Sequence, residues 1–200
     1  MANPDTREAW LERAIDALRP TFETAGYPLP KRIHVSVGFP SRGGLRGTHG
    51  VTLGQCWGSN AGCDVSTDKA PHIFISPLHT DPVAVLDTLV HELAHAAAPS
   101  GAKHGAKFVK VCNAVGLTED KPKSRRAGAA LIAELARLNV ELGDWPHAAL
   151  DARGLPKAQA ARLVKVSCEA CGYTCRVARV WLDGPGAPIC PQDEQPMQEA

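Results

Sequence analysis

The chain has 200 residues, 44% of them hydrophobic, and 22 Lys plus Arg nearly cancel 21 Asp plus Glu to leave a formal charge of +1. Such an apolar share excludes wholesale disorder, and the charge balance removes any global polyelectrolyte case for nucleic acid, so only local basic patches could carry one. The first ten residues are polar and lack a secretory apolar stretch, and no run approaches the roughly 20 apolar residues that span a bilayer; the expected place is the cytoplasm, away from membranes.

Residues 5–25 read as an amphipathic helix, with Trp10, Leu11, Ala14, Leu18 and Phe22 at helical spacing, Gly26 as a stop and Pro20 expected to kink or split it. Ile33, Val35 and Val37 alternate as in a half-buried strand. A glycine-rich loop over 38–50, a strand over 51–57 and a short buried strand over 72–76 follow. Asp81-Pro82 is a strong helix start, because Asp81 can cap and Pro82 suits the first helical position. Val85, Leu86, Leu89, Val90, Leu93 and Ala97 give that helix a core-facing stripe, ended by Pro99 and Gly101. Two more helices are expected, over 104–115 with Phe108, Val111 and Val115 inward, and over 125–142. Residues 1–143 then form one core, 144–162 a polar linker, and 163–200 a strand-like, cysteine-rich module.

His91-Glu92-Leu93-Ala94-His95 fits H-E-x-x-H. On a helix, residues four apart share one face about 5–6 Å apart, so both imidazoles reach one ion. Glu92 is next to a ligand in sequence and can reach a water on that ion without ligating it. A catalytic zinc takes three protein donors and keeps one position open. His104 is the natural third, because Pro99, Ser100 and Gly101 form a reversal that can return the chain beside the helix. The five-residue pattern has a random expectation of about 1–2% in a chain of this composition. Zinc would lower the pKa of a bound water and polarise a scissile carbonyl, with Glu92 as general base. Asp87, one turn before His91, is the candidate to orient a ligating histidine. The other histidines (His34, His49, His72, His79 and His147) lack such spacing and read as surface or satisfied core residues.

Seven cysteines are an odd number for a disulfide framework, and without a signal they read as reduced thiols. Cys56, Cys63 and Cys112 are scattered, which points to packing. Cys168-Glu169-Ala170-Cys171-Gly172 is a C-x-x-C knuckle suited to a structural zinc. Its partner pair is incomplete, because Asp193 stands where a second cysteine would follow Cys190. Either Asp193 ligates through oxygen, or Cys175 supplies the fourth donor, or the site is degenerate.

His91-Glu92-Leu93-Ala94-His95 followed by His104-Gly105-Ala106-Lys107-Phe108 resembles the SprT-like (Spartan) metallopeptidases, which carry H-E-x-x-H and then H-G-x-x-F. Gly54-Gln55-Cys56-Trp57 and Ile73-Phe74-Ile75-Ser76-Pro77 are similar to the strands before the metal helix in bacterial and phage-encoded members, and the similarity extends into the cysteine-rich tail. The resemblance implies a compact α+β metallopeptidase core with a catalytic zinc, a C-terminal zinc ribbon with a second, structural one, and a role in cleaving proteins attached to DNA.

The fold expected is therefore α+β: a small, antiparallel-type sheet packed on the H-E-x-x-H helix and further helices, then a zinc-ribbon hairpin. The function expected is zinc-dependent proteolysis of protein substrates, directed to DNA or DNA-bound proteins. The rival is a nucleic-acid-binding or transcription-associated zinc protein with a weak or unused peptidase site, and a third possibility is a zincin acting on a substrate other than protein. Lys103, Lys107, Lys110, Lys121, Lys123, Arg125 and Arg126 make the region after the metal helix basic, and Arg42 and Arg46 lie in the glycine-rich loop. Arg162, Lys165, Arg176 and Arg179 do the same for the last module; these residues read equally as DNA-facing or as solvated surface. The tail beyond Pro191 is acidic and polar and is expected to fray.

Overall fold

The computed structural model describes residues 6–41, 51–58, 66–148, 150 and 163–200. Arg42, Arg46, His49, Cys63 and Arg162 lie outside the described residues, as do most of the glycine-rich loop and the linker segment 151–162. The chain divides into two compact units, Met1–Gly154 and Leu155–Ala200. Among the described residues no helix is long and apolar enough to cross a membrane.

The first unit is α+β. Helix α1 (Arg7–Thr24) starts on Thr6, whose hydroxyl accepts from the Ala9 N–H, an N-cap of the ordinary kind. It buries Trp10, Leu11, Ala14, Ile15, Leu18 and Phe22. Pro20 lies inside the helix and does not split it; Leu18 and Phe22 are buried on either side, so packing holds the last turn across the missing N–H.

Strands β1 (His34–Val37), β2 (Gly54–Trp57) and β3 (His72–Ile75) form a sheet in the order β1-β3-β2. β2 pairs with β3 antiparallel, but β1 pairs with β3 in parallel. The sheet is thus mixed and not the antiparallel type expected from the sequence, because the long stretch 38–71 supplies the crossover that a parallel pair needs. β2 is an edge strand.

Helix α2 (Pro82–Ala97) begins as expected: Asp81 accepts from the N–H groups of Val83 (2.9 Å) and Ala84 (3.4 Å), with Pro82 in the first turn. Helices α3 (Ala106–Ala114) and α4 (Ala129–Leu142) complete the core, which is one cluster built on Trp10, Phe22, Ile73, Ile75, Leu86, Leu89, Leu93, Phe108 and Leu135. α4 starts four residues later than expected. Arg126–Ala127 instead forms strand β5, antiparallel to β4 (Leu117–Glu119). Gly116 and Gly128 bracket this small ribbon, joined by a hydrogen bond from Gly128 N to Gly116 O (2.9 Å). A helical reading of 125–128 fails because Gly128 is a weak helix former and Asp87 captures the Ala127 N–H.

The start of the expected linker is packed. Trp145 meets Trp10 edge-on with centroids 4.9 Å apart, and its Nε1 donates to His79 O. Buried Arg7 lies over the Trp145 ring and donates to the carbonyls of Pro146, Pro77 and Ala148. A large aromatic beside Pro146 finds buried surface, so residues 144–148 belong to the first unit.

In the second unit, β6 (Leu163–Ser167) pairs with β7 (Thr174–Ala178) as a hairpin, and β8 (Gln198–Glu199) adds to the other edge of β6. A short helix α5 (Arg179–Asp183) follows β7. The tail beyond Pro191 does not fray: Met197 is 2% exposed among Val166, Cys168 and Cys190, and Ala200 N donates to Lys165 O. One buried thioether anchors a segment that its polar neighbours made look loose.

Candidate metal centre

Helix α2 places His91 and His95 one turn apart, with ring centroids 5.2 Å from each other. Beyond Ala98 the chain reverses through two tight turns, closed by Ala102 N to Pro99 O (3.1 Å) and Gly105 N to Ala102 O (2.9 Å). Gly101 (φ 74) and Lys103 (φ 46) take the left-handed conformation these turns need. The reversal returns His104, whose Nε2 stands 3.2 Å from His95 Nε2. Two nitrogens on one tetrahedral zinc stand about 3.3–3.4 Å apart, given bonds of about 2.0–2.1 Å. The three imidazole donors lie within 4.8 Å of one another. Sequence spacing and folded geometry therefore bring together the same three residues.

Phe108, on α3, floors the cluster. Its ring stacks on His95 (centroids 4.0 Å, interplanar angle 14°) and lies 5.3 Å from the rings of both His91 and His104. Phe108 stands four residues after His104, in the first turn of α3, which carries it beneath the imidazoles.

Each buried polar group on α2 finds a separate partner. His91 Nδ1 donates to the Arg125 carbonyl (3.1 Å); a carbonyl only accepts, so the proton sits on Nδ1 and the Nε2 lone pair is left for an ion. Asp87 does not touch a histidine, contrary to expectation. Its Oδ1 accepts from Ala127 N (2.8 Å) and its Oδ2 from Arg126 Nη1 (3.1 Å). Asp87 clamps β5, and the residue just before β5 presents the carbonyl that orients His91. Sequence reasoning missed Arg125 O because a backbone group leaves no residue-type signal.

Glu92 is 6% exposed. Burial pushes its carboxyl up to about 8, opposed by the Cys56 backbone N–H that donates to it. Its place depends on Gly54: a Cβ there would stand 2.7 Å from Glu92 Oε1, 2.9 Å from Glu92 Cγ and 2.7 Å from Thr88 Cγ2. Burial also holds the imidazoles below their ordinary range, His95 at about 3. Burial thus favours the neutral form, the state in which an imidazole ligates. A cleft opens over His91 and Glu92, walled by residues 51–54 on one side and 123–126 on the other.

In the second unit, two knuckles face each other. Cys168 N donates to Tyr173 O and Gly172 N to Cys168 O, with Gly172 left-handed (φ 75); Cys190 N donates to Gln195 O and Glu194 N to Cys190 O. Cys171 Sγ lies 3.6 Å from Cys190 Sγ, and Asp193 Oδ2 lies 3.3 Å from Cys168 Sγ and 3.6 Å from Cys190 Sγ. Donors on a tetrahedral zinc with Zn–S of about 2.3 Å are about 3.5–3.8 Å apart. The structure groups Cys168, Cys171, Cys190 and Asp193 within 4.8 Å. Cys175 is not among them; its Sγ faces Met197 Sδ (3.9 Å) inside the small core. Of the scattered cysteines, Cys112 is a buried packing residue, its thiol pushed up to about 12.

Comparison with protein-family models, with curated proteins and with solved structures finds no match in any of the three.

Two outcomes follow from this geometry. Asp87→Ala frees β5 and with it the Arg125 carbonyl, so zinc affinity at the histidine centre should fall about 10–100-fold, read by competition with a chromophoric chelator. Gly54→Ala forces β2 and Glu92 apart and should cost about 1–3 kcal/mol of stability, read by equilibrium denaturation.

Proposed function

We propose that the first unit is a SprT-like zinc metallopeptidase, with His91, His95 and His104 as the metal donors and Glu92 as the general base. The observation that carries this reading is the convergence of three imidazole donors beside the buried side chain of Glu92. A purely structural zinc site takes a fourth protein donor; among the described residues the group holds three, and His91 and Glu92 both line the cleft. The donor set fits zinc by residue type and spacing, since imidazole suits borderline divalent ions. A bound zinc would supply Lewis acidity to a water and to the scissile carbonyl.

The residues of the chain then divide the work. The Arg125 carbonyl holds His91 in one tautomer, and Phe108 fixes the ring planes. The Glu92 carboxylate takes a proton from the attacking water and passes it to the leaving nitrogen. Its buried setting raises its proton affinity, which strengthens it as a proton acceptor once it is ionised. The cleft wall at 51–54 leads into β2, which lies at the edge of the sheet among the described residues.

The second unit is proposed to be a zinc ribbon with Cys168, Cys171, Cys190 and Asp193 as ligands. Tyr173 and Trp181 are exposed there (48% and 60%), near Arg176 in sequence, and aromatic faces beside a cation suit unpaired nucleic-acid bases. This supports action on DNA-bound proteins. Arg179 is less available, since Glu199 and Asp183 engage it.

The test is cleavage of a DNA-binding protein by zinc-loaded protein, with and without single-stranded DNA. Glu92→Gln should retain zinc and lose about 10²–10⁴ in turnover, whereas His95→Ala should lose both. Full activity in Glu92→Gln would refute the mechanism, and Glu92-dependent cleavage indifferent to DNA would leave a general peptidase. DNA affinity with no Glu92-dependent cleavage would favour the binding-protein reading instead. Elemental analysis gives the companion result: Cys168→Ser should lose one of two tightly held zinc ions, and an unchanged zinc content would refute the ribbon site.

A further inference from the structure

The sheet carries a second set of donors that the chemistry above does not use. β1 and β3 pair in parallel with His34 directly opposite His72. Side chains alternate along a strand, so both imidazoles leave the sheet on the face opposite buried Val35, Ile73 and Ile75. Their ring centroids are 4.5 Å apart. The turn entering β3 brings a carboxylate to them: Asp68 Oδ2 lies 2.7 Å from His34 Nε2. Asp68 Oδ1 is engaged separately, accepting from Ser66 Oγ (2.8 Å) and Ala70 N (3.1 Å). Lys69 closes this turn in the left-handed conformation (φ 56), with its N–H on Ser66 O. One carboxylate oxygen is therefore fixed by two donors while the other is aimed at an imidazole, an arrangement that supports metal ligation in general.

We propose that His34, Asp68 and His72 form a third metal site, more open than the other two, which takes a borderline divalent ion such as Zn²⁺, Ni²⁺ or Cu²⁺. The three donor atoms lie within 4.8 Å of one another. Neighbouring donors on such an ion stand about 3.0–3.4 Å apart, so shifts of about 1 Å close the set. Two imidazoles and one carboxylate match these ions; Mg²⁺ and Ca²⁺ prefer oxygen throughout. The His34 and Asp68 side chains are 43% and 30% exposed, so water completes the coordination and the ion exchanges with bulk. An ion held here ties the 66–70 turn to β1.

The alternative is a plain ion cluster, because Arg32 Nη1 also contacts Asp68 Oδ2 (3.2 Å). Lys31 and Lys69 line the same open depression, and their charge keeps affinity modest. Arg32 is 68% exposed along its side chain and can swing into solvent. It competes with the ion for one oxygen, which makes it the residue that separates the two accounts. The site stands apart from the peptidase reading: it sits at the His72 end of β3, while Glu92 packs on Gly54, whose partner Ile75 lies three residues, about 10 Å, further along.

The test is a Zn²⁺ titration of the whole 200-residue chain in its zinc-loaded form, followed by the imidazole NMR resonances of His34 and His72. Both sets should move together and saturate at one further equivalent, with a Kd of about 1–100 µM. Arg32→Ala should tighten that step about three- to tenfold by removing a competing charge. His72→Asn keeps the His34–Asp68 pair and should abolish the saturable step. Absence of a joint shift in the wild-type protein up to about 1 mM free Zn²⁺, or a step unaffected by both variants, would overturn the proposal.

Discussion

Helix α2 buries three ionisable side chains, Asp87, His91 and Glu92, and its other buried residues are leucine, valine and alanine. A buried polar group without a partner costs on the order of 1–3 kcal/mol, and more if charged. The surrounding chain is therefore arranged to meet three demands from one helix. β5 and Arg126 answer Asp87, the Arg125 carbonyl answers His91, and β2 brings the Cys56 N–H to Glu92. These partners come from both sides of α2 in sequence, so satisfying the helix fixes the sheet on one flank and the β4–β5 ribbon on the other. The cleft is what remains between those two flanks.

The satisfaction is uneven in a chemically useful way. Asp87 receives two donors and is spent on structure, whereas Glu92 receives one backbone N–H and keeps proton-accepting capacity. His91 has one nitrogen occupied and one left open. His95 and His104 point nitrogens at each other across 3.2 Å, a spacing that fits an N–H···N hydrogen bond in one tautomer and two donors on a shared cation equally well.

Much of this was legible in the sequence, for reasons that can be named. The capped start of α2, its apolar stripe and the four-residue histidine spacing are local signals, and the structure brings His91, His95 and His104 together. Pairing direction was not legible: the strand of His34–Val37 reads the same whether its neighbour runs parallel or antiparallel. Nor was the role of Asp87, since its partners lie about 40 residues away and one is a backbone N–H. Spacing alone does not separate Cys175 from Asp193 as the fourth member of the cysteine group; the structure turns Cys175 into the small core beside Met197. Misreadings at 125–128, 144–148 and the C-terminal tail share one cause. In each, tertiary contacts made by a few residues (Ala127, Trp145, Met197) override a polar or helical local texture.

All three histidines of the main centre lie within fourteen positions of chain, and Cys168 and Cys171 are separated by only two residues. Closing so short a loop costs little entropy even when nothing else is folded. With zinc as the proposed ion, the denatured chain should retain some grip on it, through the histidine stretch and the cysteine knuckle alike. Ion binding then lowers the free energy of both ends of the unfolding equilibrium, so added zinc should raise the melting temperature less than the native affinity alone implies.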